Sequence, residues 1–196
     1  MMRFLMIGSL AVAAMSALLL PQPGVALEEK KGEKEALKAC ETRTCDIVAK
    51  KGGSDLVCSI GRTWKKDKIK AGFGARVAWR WGDAQCSGDI NVPAALIADA
   101  LTRPEHKITV PLHTVTCLLE NETGTVPLKI TLAPTIQTRG GRARKVWINV
   151  KSIEGPGVIK STIWTVVRLE DSIGIFHGDI VKAVNKFIDR CQAPKT

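Results

Sequence analysis

Six cysteines carry the most evident chemistry in this chain, and their number and spacing indicate what that chemistry is. An even number of cysteines behind an export signal, such as the one described below, is typical of disulfide bonds. Zinc binding and dithiol redox chemistry are disfavoured because the chain contains no C-x-x-C motif. We therefore predict structural disulfides and no metal site. The six residues are Cys40, Cys45, Cys58, Cys86, Cys117 and Cys191.

The predicted elements suggest how these cysteines pair. A bond between the C-terminal helix and a strand would fasten that helix to the sheet and close a long loop. Cysteines on two neighbouring strand candidates form the second pair, and the remaining two would close a small loop near the N-terminus. Six cysteines allow many other pairings, so this connectivity is one among several. The predicted pairs are Cys117–Cys191, Cys58–Cys86 and Cys40–Cys45.

Catalytic chemistry has one weak candidate. His113 lies four residues before Cys117 on the same predicted strand face, so the two could form a thiolate–imidazole dyad. A strand histidine beside an oxidised cysteine is the favoured interpretation, because the predicted compartment is oxidising. The chain has no G-x-S-x-G, S-x-x-K, H-E-x-x-H or P-loop motif and no tyrosine. The sequence therefore favours a protein without enzymatic activity, without a cofactor and without a metal.

Two basic segments are the candidate binding residues. The segment RGGRARK carries Arg139, Arg142, Arg144 and Lys145 around two glycines, and Lys65 and Lys66 follow a tryptophan in RTWKKDKIK. Arginine and lysine side chains bind phosphate and carboxylate groups, and a glycine turn lets the backbone approach an anion. The alternative is a solvated hairpin tip and a solvated connector, which is the commonest fate of such residues. These six basic residues are the candidate anion-binding site.

The tryptophans of VAWRWGDAQC raise a different question. Val77, Trp79 and Trp81 alternate with smaller or charged residues, as on one face of a strand over residues 75–81. Such a face is either a half-buried core surface or an exposed stacking platform for a ligand. Large aromatic groups dominate the energetics of cores, so we interpret these side chains as core residues.

The helices and strands predicted from the sequence indicate an α+β fold. Five to six strands joined by short turns favour an antiparallel sheet, and two to three helices would pack on one of its faces. Strands are predicted over residues 56–64, 106–120, 125–138, 146–153 and 158–170, with Pro111 marking an edge or a bulge. Helices are predicted over residues 91–103, with Asn91 as cap, and over residues 178–191.

The N-terminus has the composition of a secretory signal. Arg3 precedes an apolar run over residues 4–20, and two prolines and a small-residue sequence, GVA, follow. An uncleaved membrane anchor is the alternative, since the run is near the lower limit for spanning a bilayer. We predict four segments. They are a signal peptide (1–26), a charged N-terminal segment that could form a helix (27–53), one α+β domain (54–192) and a C-terminal tail (193–196).

Together these observations predict an exported, soluble, non-enzymatic binding protein of the cell envelope, either periplasmic or secreted. Its formal net charge of +10 favours an anionic or amphiphilic ligand, such as a lipid headgroup, lipopolysaccharide or an acidic glycan, or else a protein partner. Nucleic acid is disfavoured by the compartment, and the chain after residue 26 has no stretch of transmembrane length. The alternatives are a structural or assembly component of the envelope and a hydrolase whose site is assembled from distant segments.

Overall fold

The computed structural model describes residues 26–73, 78–174 and 177–193. Within these residues the chain forms five helices and two antiparallel sheets, which confirms the predicted α+β class. The helices are α1 (Glu33–Lys50), α2 (Lys66–Phe73), α3 (Ala94–Thr102), α4 (Gly157–Ile173) and α5 (His177–Gln192). The strands are β1 (Leu56–Trp64), β2 (Ala84–Val92), β3 (Glu105–Thr109), β4 (His113–Asn121), β5 (Gly124–Leu132), β6 (Thr135–Arg139), β7 (Arg142–Trp147) and β8 (Val150–Glu154).

The strands form two sheets rather than the single sheet that we expected. The larger sheet has the order β1-β2-β4-β5-β8, and the smaller has the order β3-β6-β7. Short connections join most neighbouring strands, and such connections favour antiparallel pairing. Helix α1 packs on β1 and α5, α5 also packs on β7, and α3 packs between α1 and the smaller sheet.

Three connections pass from one sheet to the other at a shared corner. They join β3 to β4, β5 to β6 and β7 to β8. Pro111 separates β3 from β4, and Pro134 separates β5 from β6. At this corner Val110 N–H donates to the Pro134 carbonyl at 2.8 Å, and the Asn149 side chain donates to the Ala133 carbonyl at 3.1 Å. Proline has no N–H to give to a ladder, so the long strands predicted through these positions each divide into two.

Three predicted elements are wrong. Trp79 and Trp81 lie in an irregular segment and not in a strand, while residues 74–77 lie outside the described part of the chain. The basic connector after Trp64 is helix α2. Residues 158–170, predicted as a strand from their β-branched composition, are helical because Ile159, Ile163 and Val167 recur at a spacing of four and pack inward.

Helix α3 begins after the residue that we predicted as its cap. Asn91 is a strand residue of β2, and the helix starts behind Pro93. The first backbone N–H, that of Ala94, donates instead to the Asp55 carboxylate at 2.9 Å. A side chain distant in sequence therefore satisfies a helix terminus, which local sequence patterns cannot show.

All three predicted disulfide pairs are wrong. The structure joins Cys40 to Cys58, Cys45 to Cys191 and Cys86 to Cys117. In the sheet Cys86 lies directly opposite Cys117, whereas Cys58 lies opposite Ile90. Cys58 and Cys86 are thus four residues apart along the ladder, about 13 Å, which is too far for a bond.

The remaining pairs are set by helix α1. Cys40 and Cys45 are both on this helix, where side chains five residues apart point about 140° away from each other and cannot meet. One of them faces β1 and the other faces α5. Cys191 packs beside Val48 and Ile188, in a cluster on α1 and α5 that is separate from the main cluster containing Cys117.

The N-terminal segment is anchored by one buried carboxylate. Glu33, 9% exposed at the start of α1, accepts hydrogen bonds from the Thr63 N–H and the Lys30 N–H at 2.8 and 3.1 Å. The Thr63 hydroxyl donates to it at 2.8 Å and Gln85 at 3.4 Å. Burial disfavours the charged form of Glu33, but the hydrogen bonds from Lys30 and Thr63 outweigh it and hold its pKa below the ordinary value.

Replacing this residue, Glu33→Gln, is expected to lower the free energy of unfolding by about 2 kcal/mol near neutral pH. A carboxylate with a depressed pKa stabilises the fold above the unfolded value, about 4.3, and this stabilisation is lost as the pH falls through the folded pKa. The difference between variant and wild type should therefore shrink below about pH 4 in urea unfolding curves. Glu35→Gln, on the exposed side of the same helical turn, is the matched control. An equal loss in both variants would contradict the prediction.

Candidate ligand-binding cavity

The arginines predicted as anion ligands are largely engaged within the protein. Gly140 and Gly141 form the predicted glycine turn between β6 and β7. Arg139 pairs with Glu105 of β3 at 3.2 Å. Arg142 donates two hydrogen bonds to Asp189 of α5, and this bonding lowers the pKa of the Asp189 carboxyl. These arginines fasten the hairpin to its neighbours.

The other predicted ligands are dispersed. Arg144 and Lys145 are exposed on β7. Lys65 pairs with Asp83 at 2.8 Å, and the Lys66 N–H donates to the same carboxylate at 2.8 Å. The two basic segments thus contact different elements, the hairpin on α5 and β3 and the lysines on the start of β2. The structure does not bring them together as one site.

His113 and Cys117 do not form the candidate dyad, and His113 is the strand histidine beside an oxidised cysteine that we favoured. Cys117 is oxidised in its bond to Cys86, so it offers no thiolate. The His113 Nε2 accepts a hydrogen bond from the Asn91 N–H at 2.9 Å, and Nδ1 lies 2.5 Å from the Pro111 carbonyl. An Nε2 that accepts places the ring proton on Nδ1, where it can donate to Pro111. Both ring nitrogens are therefore used by the backbone.

The structure contains instead a cavity of about 610 Å³ on one face of the larger sheet. The register places the floor residues on a common face, because Ala84 lies opposite Leu119, and Cys117 lies opposite both Cys86 and Leu128. This face contains the main buried cluster of the protein. The floor is formed by Ala84, Cys86, Cys117, Leu119, Leu128 and Ile130.

Three helices and two tryptophans form the walls of the cavity. Ile69 and Gly72 come from α2, Ile163 and Val166 from α4, and Ile180 from the first turns of α5. Trp64 ends β1, and Trp79 lies in the irregular segment before β2. These wall residues are apolar, so the interior offers almost no hydrogen-bonding group. The chemistry of the cavity is therefore that of a hydrophobic binding site.

The tryptophans of the irregular segment have the core role that we predicted, in a different geometry. Trp79 and Trp81 are half-buried against the main cluster, with ring centroids 5.0 Å apart in an edge-to-face arrangement. The Trp79 Nε1–H donates to the Gly82 carbonyl at 2.9 Å, which satisfies the indole and orients its ring. Trp79 therefore belongs both to the core packing and to the cavity wall.

The position of α2 over the cavity depends on Asp83. Its carboxylate accepts from the Lys65 ammonium and from the Lys66 N–H at the start of α2, both at 2.8 Å. Burial disfavours the charged carboxylate, but these hydrogen bonds outweigh that effect and hold the pKa of Asp83 below its ordinary value. The Asp83 N–H in turn donates to Glu120 at 2.9 Å. Asp83 thus joins α2 to the strands that form the floor of the cavity.

Among the described residues, the ionisable ones in the lining are Lys68 on α2 and Asp179 on α5, both exposed at the cavity rim. Around Lys68 the segment KKDKIK contains four lysines and one aspartate, so this side of the rim carries net positive charge. Asp179 lies within the first turn of α5, not before the helix as a capping residue would. The rim can therefore bind a charged group attached to an apolar body.

Single-sequence reasoning missed Lys68, Gly72 and the α4 residues as site residues. Lys68 belongs to a basic segment that the sequence shows, but its position at the rim depends on α2 being a helix. The apolar stripe of α4 is visible in the sequence at a spacing of four, and counting that period would have found it. The convergence of seven helices and strands on one cavity leaves no local signal in the sequence.

Comparison with known proteins gives no relative, since no family model, curated protein or solved structure matches the chain. None of the helices within the described residues is both long enough and apolar enough to cross a membrane. In the same part of the chain, His, Cys, Asp and Glu side chains form no group of three or more that could hold a metal ion.

Proposed function

We propose that this protein is an exported, non-enzymatic binding protein that holds an amphiphilic molecule in the cavity above its larger sheet. The apolar part of the ligand lies against the floor strands, and an anionic head lies at the rim beside Lys68. The observation that carries the proposal is the cavity itself, whose 610 Å³ fall in the range of small-molecule sites.

The apolar lining supports a ligand with a hydrocarbon body. Each methylene group transferred from water to such a surface contributes about 0.8 kcal/mol, so a single acyl chain could bind without any polar contact inside the cavity. A glycan or a free phosphate would instead lose its hydration without finding hydrogen-bond partners. The lining therefore favours the amphiphilic member of the ligand classes that the sequence suggested.

The positive charge at the cavity rim supports a ligand with an anionic head group. Lys68 is the basic residue of the lining, and Lys66 and Lys70 extend the positive charge along α2. An exposed ion pair of this kind contributes at most about 1 kcal/mol, so the head provides orientation more than affinity.

Export is supported by two observations of different kinds. Three disulfides join the six cysteines, and such bonds persist in oxidising compartments. The composition of residues 1–26 is that of a secretory signal. In the envelope or outside the cell, lipids and their breakdown products are available amphiphiles, and the protein would act as their carrier or sensor.

The head position is tested by Lys68→Gln. We expect this variant to bind dodecanoate about threefold to fivefold more weakly than wild type, because one charge-assisted contact is lost. Binding of dodecanol, which has the same chain without the charge, should be unchanged. Lys186→Gln, at an exposed position of α5 outside the lining, is the matched control. Both ligands can be followed by tryptophan fluorescence, since Trp64 and Trp79 line the cavity.

The outcomes separate the parts of the proposal. If neither ligand binds the wild-type protein, and longer or shorter chains of the same series also fail, the proposed function is wrong. If both ligands bind and Lys68→Gln affects them equally, the cavity is a hydrophobic site but Lys68 does not bind the head.

A further inference from the structure

The outer side of helix α4 carries two parallel rows of side chains. Val158, Thr162, Val166 and Leu169 recur at helical spacing along one row. Val158 is 74% exposed and Leu169 is 38% exposed, and these are two of the four most exposed large apolar side chains in the described residues. A helix that packs on a core normally leaves polar residues on this side, so the exposed apolar row needs another explanation.

The apolar row borders a groove whose far side is the tryptophan segment. This groove has a volume of about 350 Å³, and Trp81 and Arg80 line it opposite α4. Trp81 is half-buried, with its body against the main cluster and its remaining surface in the groove. The groove is therefore apolar along its length and has a cation at its edge.

The second row is cationic and aromatic. Lys160, Trp164 and Arg168 follow one another at a spacing of four and border a depression of about 390 Å³. The Arg168 guanidinium lies 5.8 Å from the centre of the Trp164 ring. No acidic residue occurs from position 155 to position 169, so this face attracts anions. Tryptophan and basic residues beside an apolar row are typical of helices that lie in a membrane interface.

The outer groove is separated from the ligand cavity by one layer of side chains. Thr162 and Val166 line both spaces, so α4 forms their common wall. A surface that touched the outer face of α4 would therefore lie within one helix diameter of the cavity, about 10 Å. This continuity connects the exposed face to the proposed ligand.

We propose that the outer face of α4, together with Arg80 and Trp81, docks on an anionic lipid bilayer. The exposed apolar row enters the interface, and Lys160, Arg168 and Arg80 contact the lipid phosphates. The inference deepens the proposed function, since the bilayer would be the source or the destination of the amphiphile. Charge complementarity selects this partner, because the described residues that line the two grooves combine exposed apolar groups with three basic and no acidic side chains.

The test is flotation with vesicles made of equal parts of phosphatidylglycerol and phosphatidylcholine, compared with vesicles of phosphatidylcholine alone. The protein is used in its exported form with disulfides intact, after its mass has shown that residues 1–26 are absent. We expect clear binding to the anionic vesicles, weak binding to the neutral ones and a steep loss of binding with added salt.

Two double variants separate the contribution of the basic residues to vesicle binding from that of the apolar residues. Lys160→Gln with Arg80→Gln should weaken binding to anionic vesicles about twentyfold, since each basic residue near such a surface contributes roughly a factor of five. Val158→Ser with Leu169→Ser should weaken it at least about tenfold through the lost apolar contact. The matched controls are Lys50→Gln with Lys186→Gln, and Val57→Ser with Leu112→Ser, whose wild-type side chains are exposed on other parts of the surface. Both controls should bind like wild type.

Equal binding by the variants and their controls would overturn the inference, as would equal binding to neutral and anionic vesicles. The dodecanoate assay keeps this result separate from the proposed function. Dodecanoate binding without vesicle binding would overturn the docking surface alone, and vesicle binding without dodecanoate binding would overturn the proposed cavity ligand alone. If only native envelope membranes bind the protein, and protease treatment removes that binding, the face is a protein-binding surface and the inference is wrong.

Discussion

Replacing Gly72 with phenylalanine is expected to abolish the binding of dodecanoate while leaving the protein folded. Gly72 lines the cavity from α2, and a Cβ atom at this position would have no heavy atom within 4 Å. Because Gly72 lines the cavity, we expect the added ring to occupy part of the space that the ligand would fill. If it displaces about four methylene groups, the affinity should fall by about a hundredfold or more. Tryptophan fluorescence titration measures the loss.

A matched control is available on α5. Gly178 is also a helical glycine at which an added Cβ would have no heavy atom within 4 Å, but it does not line the cavity. Gly178→Phe should bind dodecanoate like wild type. The unfolding free energy of Gly72→Phe should be unchanged or slightly higher, because glycine in a helix is unfavourable. Unimpaired binding by a folded Gly72→Phe protein would show that the ligand does not occupy this cavity.

Removing the disulfide between α1 and α5 should have the largest effect on stability. Cys45 and Cys191 are separated by 146 residues, so their bond restricts most of the unfolded chain. The chain-entropy relation gives about 4–5 kcal/mol for a loop of this length. We expect Cys45→Ser with Cys191→Ser to lower the unfolding free energy by this amount in urea titrations under oxidising conditions.

The bond between Cys40 and Cys58 gives the comparison. It closes a loop of 18 residues, for which the same relation predicts about 3 kcal/mol. The double serine variant at these positions should therefore be less destabilised than the one at Cys45 and Cys191. The opposite order would show that the local packing of α1 on β1, and not the restriction of the unfolded chain, dominates the contribution of these bonds.

The elements that the sequence predicted correctly are those whose pattern is local. Strand β1 begins and ends where the alternation of apolar and polar residues predicts, at Leu56 and Trp64. Helix α5 follows the apolar stripe of residues 178–191, and the glycine pair of RGGRARK forms the turn of the β6–β7 hairpin. In each case neighbouring residues carry the whole signal, so tertiary contacts are not needed to recognise it.

Helix α4 shows why a local signal can mislead. Its composition, rich in valine, isoleucine and threonine, favours a strand, but the buried and half-buried residues Ile159, Ile163 and Val167 repeat at a spacing of four. The helix is favoured because Ile159 and Ile163 of this row pack on the main cluster, with Ile159 only 3% exposed. Tertiary burial outweighs intrinsic propensity, which differs between residues by only a few tenths of a kcal/mol.

By itself, the sequence determined the α+β class, the oxidised state of the cysteines and the basic character of the surface. These properties follow from composition and from patterns within about ten residues. Only the tertiary structure decided the disulfide pairs and the cavity, because both depend on which distant elements lie side by side. The register that places Cys86 opposite Cys117 also places Ala84 opposite Leu119, and so builds the cavity floor. Such pairings arise from the packing of the whole domain, and no single segment contains them.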